Sequence, residues 1–467
     1  MKMLIFYSKF ASYSLTVLSL CLASLTLGAA STNLPNIIFI MADDLGYGDL
    51  GIYGQKFVET PNIDRLAENG IRFTNHYSGH SVCRPSRLSL WTGLHTGHTG
   101  LTTNREFALT DSHTTVAQAM QNAGYVTGGV GKWALASGDS GHPNDHGFDY
   151  WMGYLDQGNA HNYYPPFLWE NKQKIELVGN ILDTSEEAFG RVSEVRTTYS
   201  HDVMTKAAFD FIRRHSDNPF LLHMHLTIPH ANNELGKMGE NGMEVPDFGI
   251  YEIESWPEAE KGFAAMITLM DRDIGKLIDL LAELNIEKNT LVIFTSDNGP
   301  HMSGGHDHTF FNSNGPLRGV KGHLYEGGIR VPFIASWPGK IEANTVSDHT
   351  SAFWDYYPTL MEITGVDIPE NIDGISYLPT LINEHENQKK HEYLYWAKSN
   401  SRTQLAVRYK NWKLVKYRSR GVWGYLRRTE WQLFDLEQDL GEENNVAKLY
   451  PDIVKEIVQL LERKELL

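Results

Sequence analysis

The residues NIIFIMADDLG at positions 36–46 join an unbroken apolar run to two adjacent carboxylates. A run of this kind is typical of a strand that is buried on both faces of a parallel sheet. Asp43 and Asp44 end the run, and open α/β sheets bind their ligands beyond the carboxyl ends of their strands. The sequence therefore predicts a buried strand with a ligand site at its carboxyl end.

Strand-like and helix-like segments alternate from this point to about residue 339. Thr60 as N-cap, Pro61 at the first position and Gly70 after the last turn predict a helix over residues 61–69. Helices are also expected at about 200–215 and 258–284, and strands within 125–133, 219–228 and 290–299. This alternation predicts an α/β fold in which a large, mainly parallel or mixed sheet is sandwiched between helices.

Polar residues follow several of these strands. Because the carboxyl ends of parallel strands meet at one edge of a sheet, side chains that are far apart in sequence are expected to converge there. The residues concerned are Asp43, Asp44, Lys132, His230, Asp297 and Asn298.

The pattern changes near the C-terminus, where short β-like runs are separated by turn residues such as Lys410 and Asn411. These runs predict a small antiparallel sheet, and a helix from Pro451 to the end closes it. We therefore expect two domains, residues 31–385 and residues 386–467.

Residues 1–30 have the organisation of a secretory signal peptide. Lys2 and Lys9 precede an apolar core, and small residues end the segment before Ser31. No later run is long and apolar enough to span a bilayer. We therefore expect an exported protein, either periplasmic or secreted.

The net charge limits the class of partner. Removal of the two leader lysines leaves 39 basic against 57 acidic side chains, a net charge of −18. So acidic a chain argues against a nucleic-acid partner, which requires a basic face. An anionic substrate is compatible with it if a few cations and a metal reverse the field inside the pocket.

Residues 81–97 read SVCRPSRLSLWTGLHTG and contain Cys83, the one cysteine outside the predicted signal peptide. Without a partner in the mature chain, this thiol is buried, free or chemically converted. A small buried hydrophobe is the ordinary outcome for a cysteine. The flanking residues favour conversion instead.

The pattern C-x-P-S-R at 83–87 resembles the maturation motif of the type I sulfatases of the alkaline phosphatase superfamily. The longer family pattern also matches at Leu90, Thr92 and Gly93, whereas Leu94 replaces its final arginine. The resemblance implies that a formylglycine-generating or anaerobic maturation enzyme oxidises Cys83 to formylglycine, whose hydrate is the nucleophile. It also implies an alkaline-phosphatase-like fold.

A metal site is implied by the same resemblance. Hard divalent cations bind through oxygen ligands, several of them carboxylates. Asp43–Asp44 or Asp297–Asn298 alone is readily interpreted as a turn or a cap. Together the two pairs match the sulfatase calcium site in order and flanking sequence. One Ca²⁺ per chain is therefore expected on Asp43, Asp44, Asp297, Asn298 and converted Cys83.

The resemblance assigns roles to four further side chains. Arg87 would hold the aldehyde hydrate, and Lys132 and Lys321 would bind the sulfate oxygens. His230 would protonate the leaving-group oxygen. Ala134 stands where the family often has a histidine that contacts the hydrate, and some bacterial carbohydrate sulfatases resemble this chain in that departure.

Two loops rich in aromatic residues and histidines, 156–171 and 300–315, are expected to contact the substrate. Aromatic faces suit sugar rings, and polar side chains beside them bind hydroxyls. The loops resemble those of bacterial exo-sulfatases acting on sulfated galactose or N-acetylgalactosamine. The candidates are His161, His301, His306 and Asp307, although residues 306–308 are equally well interpreted as an exposed polar loop.

The preferred interpretation is an exported, calcium-dependent sulfatase acting on a sulfated polysaccharide or glycan. One alternative is a phosphonate or phosphodiester hydrolase of the same superfamily that also uses formylglycine. Another is a non-catalytic, glycan-binding homologue, an alternative raised by Ala134 and Leu94. The intact set of catalytic candidates argues against the last.

Overall fold

In a computed structural model of the chain, ten strands form one sheet, and the strand Asn36–Ala42 lies near its centre with every residue buried. Five neighbouring strands are mutually parallel, and antiparallel pairings flank them on both sides. From one edge to the other the strands are Thr345–Ser347, Ile71–Phe73, Phe333–Ser336, Thr290–Ser296, Asn36–Ala42, Phe220–His225, Val126–Lys132, Tyr150–Tyr154, Phe167–Glu170 and Gln173–Glu176. The predicted mixed sheet is confirmed.

Helices cover both faces of this sheet because successive side chains of a strand point to opposite sides. Ile38 and Ile40 pack on one side, with the helices Pro61–Glu68, Ser200–His215 and Glu258–Glu283. On the other side the Phe39 ring lies 4.6 Å from that of Tyr356. That side carries the helices Cys83–Thr92, Val116–Asn122 and Tyr356–Thr364.

A second, antiparallel sheet follows, with strands Leu394–Ala397, Leu405–Tyr409, Trp412–Arg418 and Thr429–Asp435. The helix Pro451–Arg463 packs against it through Ile457 and Leu461. Toward the large sheet, Trp396 Nε1 donates a hydrogen bond to the Ser78 carbonyl at 3.0 Å. The predicted small sheet and its closing helix are confirmed.

The structure describes residues 34–398, 404–418 and 429–467. The predicted signal peptide, residues 1–30, lies outside them. Residues from Pro35 onward form one unit by their contacts, so the domain boundary near residue 385 stays a prediction. Among the described residues, no helix combines the length and the apolar character that a membrane span needs.

Candidate functional site

Two neighbouring strand ends bring four predicted ligands together. The strands Asn36–Ala42 and Thr290–Ser296 are parallel and pair up to their last residues. The residues that follow the two strands therefore lie side by side at the same sheet edge. The Asp44 backbone N–H donates to Asp297 Oδ1 at 3.1 Å, and Asn298 Nδ2 donates to Asp44 Oδ1 at 2.7 Å. The expected convergence at the carboxyl edge of the sheet is therefore observed.

The helix Cys83–Thr92 directs a third group of side chains at this edge. Gly93 ends the helix with φ 70°, a left-handed conformation that glycine adopts without strain. Residues 83 and 87 are one turn apart and share a helix face. Arg87 donates to Asp297 Oδ2 from Nε at 3.0 Å and from Nη2 at 2.8 Å. The helix is thus tied to the second strand end by a two-pronged, charge-assisted contact.

Cys83 lies at the centre of the cluster. Its Sγ is 3.4 Å from Asp43 Oδ1 and 3.9 Å from Asp44 Oδ1, and the residue is fully buried. Burial and the negative charge of Asp297 raise the pKa of the thiol to about 12. Because the thiolate is the nucleophilic form of cysteine, the unmodified side chain is poorly suited to attack.

Three cations face the carboxylates. Lys132 Nζ donates to Asp43 Oδ2 at 2.6 Å, and Lys321 Nζ donates to Asp44 Oδ2 at 2.6 Å. With Arg87 they balance the three carboxylates of the cluster. An added divalent cation would therefore give the site a positive surplus, which favours an anionic substrate.

The side chains present fit a hard divalent cation. Asn298 Oδ1 is buried and has no hydrogen-bond partner, which is unusual for an amide oxygen. Asp43, Asp44, Cys83 and His230 also offer ligand atoms that lie within 4.8 Å of one another. Carboxylate and amide oxygens are the ligands that Ca²⁺ prefers.

The protonation state of Asp297 depends on whether a cation is bound beside it. Burial and the neighbouring Asp43 raise the pKa of Asp297 to about 7. A bound cation would favour the ionised carboxylate instead.

His230 faces the cluster through one nitrogen. Its Nδ1 donates to the Ala231 carbonyl at 2.7 Å, so Nε2 is directed at Lys321 Nζ, 3.0 Å away, and lies 3.4 Å from Asp44 Oδ2. Burial and the Lys321 charge lower the pKa of His230 well below its usual value. The neutral imidazole therefore accepts from the ammonium group, and the pair shares one transferable proton.

A histidine of the first predicted loop adjoins His230. The His161 and His230 rings stack with centroids 4.7 Å apart and an interplanar angle of 17°. His161 Nδ1 lies 2.9 Å from Glu234 Oε2, and Arg191 Nη1 donates to Glu234 Oε1 at 3.2 Å. Sequence reasoning missed Glu234 and Arg191, because neither follows a strand or belongs to a motif.

His301 also reaches the site, since its ring centroid lies 6.0 Å from that of His230. Both of its nitrogens are engaged: Nε2 donates to the Pro229 carbonyl at 3.0 Å, and Nδ1 accepts from the Ser303 backbone N–H at 3.1 Å. Its nitrogens therefore support the loop, and the ring contributes a wall beside His230.

The other two candidates of the second loop, His306 and Asp307, lie further from the cluster than His301. His306 is buried against the Phe263 ring at 3.7 Å, and its Nδ1 lies 2.7 Å from Glu260 Oε2. The Asp307 side chain is exposed, and its Oδ1 accepts from Thr309 within the same loop. The structure therefore brings His161 and His301 to the cluster, with His306 in a layer behind them.

Two buried histidines behind Arg87 were also missed. Arg87 Nη1 lies 3.4 Å from His225 Nδ1, His225 Nε2 lies 3.0 Å from His223 Nδ1, and His223 Nε2 lies 3.1 Å from the Tyr356 hydroxyl. Because a guanidinium only donates, the contacts order the imidazole tautomers along the chain. The available signal was the pair of histidines at alternate positions of one apolar strand, which places them on one face.

Comparisons with known proteins identify a family and several relatives of this chain. The sequence model of the family described as Sulfatase matches residues 35–366, and that described as N-sulphoglucosamine sulphohydrolase, C-terminal, matches residues 320–466. An N-acetylgalactosamine-6-O-sulfatase of Bacteroides thetaiotaomicron is 30% identical over 502 residues, covering 92% of each chain. Arylsulfatase A of Bos taurus is 30% identical and covers 97% of this chain and 91% of its own. The crystal structure of Ps i-CgsB in complex with k-i-k-neocarrahexaose superposes with a TM-score of 0.76 at 28% identity, covering 92% of each chain.

Proposed function

Since this chain belongs to the sulfatase family and is a sulfuric ester hydrolase, we propose that it cleaves carbohydrate sulfate esters with calcium and a formylglycine made from Cys83. The observation that carries the proposal is the buried cluster in which Cys83, three carboxylates and three cations meet at one sheet edge. Export after loss of residues 1–30 is part of the same proposal.

Asp43, Asp44, Asp297 and Asn298 would hold the cation together with the oxygen of converted residue 83. When bound, calcium supplies Lewis-acid polarisation and a lowered hydroxyl pKa. The unpartnered Asn298 Oδ1 supports this ligand set.

Lys132 and Lys321 would bind the sulfate group. Each ammonium group donates to a carboxylate that also contacts Cys83 Sγ. Both donors therefore lie close to the side chain from which the nucleophile is made. Preformed donors in a water-poor site stabilise charge that develops in the transition state. Arg87 would hold the aldehyde hydrate, and its contacts with Asp297 and with the Lys132 carbonyl at 2.6 Å fix the guanidinium at this edge.

His230 and Lys321 supply the proton for the leaving oxygen. The Nε2 and Nζ atoms lie 3.0 Å apart and face the cluster, so a proton on either reaches the same region. A sugar alkoxide leaves poorly without protonation, whereas a phenolate does not need it.

Replacement of His230 by alanine is therefore expected to slow hydrolysis of a sulfated sugar about 100- to 10,000-fold. Turnover of an activated aryl sulfate should fall much less, because its leaving group departs unprotonated. The ratio of kcat/KM for the two substrates, compared between wild type and variant, measures this difference.

His301→Ala is the matched control for this experiment. It removes an imidazole from the same pocket whose nitrogens are already engaged, so both substrates should be affected alike. If His230→Ala also lowered both activities by the same factor, His230 would have a binding or structural role. Lys321 alone would then donate the proton.

The substrate is proposed to be a sulfate ester of galactose or N-acetylgalactosamine within a glycan. The Bacteroides relative is named for N-acetylgalactosamine 6-O-sulfate, and the Ps i-CgsB structure holds a neocarrahexaose. A panel of defined sulfated mono- and disaccharides, with a phosphodiester and a phosphonate ester beside them, tests this assignment. We expect the highest kcat/KM on a galacto-configured sulfate ester, and faster turnover of the phosphodiester or phosphonate ester would contradict it.

A further inference from the structure

A second cluster of metal-ligating side chains lies at the far end of the helix that begins with Cys83. His95 and His98 follow this helix in the sequence LHTGHT, and Asp373 approaches from a distant loop. Each offers a ligand atom, and these atoms lie within 4.8 Å of one another. A helix of ten residues is about 15 Å long. The cluster is therefore separate from the proposed calcium site.

The geometry points to a second metal site, and we propose that His95, His98 and Asp373 bind a transition-metal ion of the Zn²⁺ class. Two imidazoles and one carboxylate are a donor set that zinc favours, in contrast to the oxygen ligands of a calcium site.

The ligand atoms lie near the separations that such an ion requires, although His98 and Asp373 are closer to each other than they would be around an ion. His98 Nδ1 lies 2.8 Å from Asp373 Oδ1 and 2.9 Å from Oδ2, and His95 Nε2 lies 3.7 Å from Oδ1. Tetrahedral zinc with bonds of about 2.0–2.2 Å places its ligand atoms about 3.3–3.6 Å apart. Small side-chain adjustments therefore bring all three atoms to one ion.

His95 provides an independent observation. Its side chain is only 4% exposed, yet Nε2 has no hydrogen-bond partner and is directed at the carboxylate. A buried polar nitrogen without a partner is rare, and a bound ion would satisfy it.

Metal binding at Nε2 requires the other tautomer of His95. Nδ1 accepts from the Gly97 backbone N–H at 3.1 Å, so the neutral ring carries its proton on Nε2 in the absence of metal. Binding of the ion at Nε2 would move that proton to Nδ1 and break the Gly97 contact.

The surroundings preorganise the carboxylate. The Asp373 Oδ2 atom accepts from the His95 backbone N–H at 2.9 Å, and the Asp373 backbone N–H donates to the Gly93 carbonyl at 2.8 Å. Oδ1 is left facing both imidazoles. The His98 side chain is 45% exposed, which gives an ion and a completing water access from solvent. An ion here would link the Asp373 loop to the segment that follows the helix beginning with Cys83.

Titration of the calcium-loaded protein with Zn²⁺ by calorimetry, repeated with Co²⁺ by visible absorption, tests the proposal. Wild type should bind one more ion than His98→Ala, or bind it at least roughly 10- to 100-fold more tightly, and Zn²⁺ should raise the Tm of wild type only. Comparison with His98→Ala isolates this site, because His98 is remote from the calcium cluster.

Two further variants make the result decisive. Asp373→Asn retains an oxygen to accept from the His95 backbone N–H but loses the charge, so it should keep the fold and lose the added ion. His385→Ala removes an exposed histidine elsewhere on the surface and should bind Zn²⁺ as wild type does. Equal stoichiometry and affinity in wild type, His98→Ala and Asp373→Asn would overturn the proposal.

Discussion

Cys83→Ala is expected to lower kcat by roughly 10,000-fold or more, because it removes the side chain from which the nucleophile is made. The fold should persist, since the change deletes one buried sulfur atom and costs on the order of 1 kcal/mol. Steady-state kinetics and thermal unfolding of the purified variant measure the two effects separately.

The same prediction has a chemical readout in the wild-type protein. The peptide that contains residue 83 should weigh about 18 Da less than its thiol form, as expected for conversion of a thiol to an aldehyde. Across preparations that differ in maturation, kcat should rise in proportion to the converted fraction. Full activity in protein that carries only the unmodified thiol would refute the assignment of Cys83.

Asp43→Asn should reduce calcium affinity by at least roughly 100-fold and turnover by a similar or larger factor. The change keeps the shape of the side chain but removes a charge that contacts both Cys83 Sγ and Lys132 Nζ. Calcium content by elemental analysis and activity against added Ca²⁺ are the measurements. Chelation of wild type should abolish activity, and added Ca²⁺ should restore it and raise the Tm.

Asp49→Asn is the matched control for the metal prediction. Asp49 is a buried carboxylate close in sequence, but its Oδ2 accepts from the Gly46 backbone N–H at 2.7 Å, within its own turn. Burial raises its pKa to about 7, so the neutral amide replaces a carboxyl group that is less readily ionised than an exposed one. Calcium content should be unchanged in this variant, and full occupancy in Asp43→Asn and Asp44→Asn would refute the ligand set.

The calcium-free protein is expected to remain folded. Lys132 and Lys321 each lie 2.6 Å from a carboxylate of the site, so no carboxylate is left without a cationic neighbour when the ion departs. Chelation should therefore abolish activity while the protein remains folded.

The residues alone were sufficient for the elements that depend on local pattern. The apolar run before Asp43 predicted a buried strand, and the helices Pro61–Glu68, Ser200–His215 and Glu258–Glu283 lie within one residue of the predicted bounds. The convergence of Asp43, Asp44, Asp297 and Asn298 could also be predicted, because ligands at the ends of parallel strands share an edge.

Only the tertiary structure revealed the side chains that support this edge. Glu234 and Arg191 beside His161 belong to no motif, and only packing brings His225, at the end of its strand, against Arg87. His98 and Asp373 are 275 positions apart in the chain, yet their side chains are in contact. Local sequence patterns report the periodicity of one helix or strand. Contacts between distant loops depend on how those elements pack, so only the folded chain defines them.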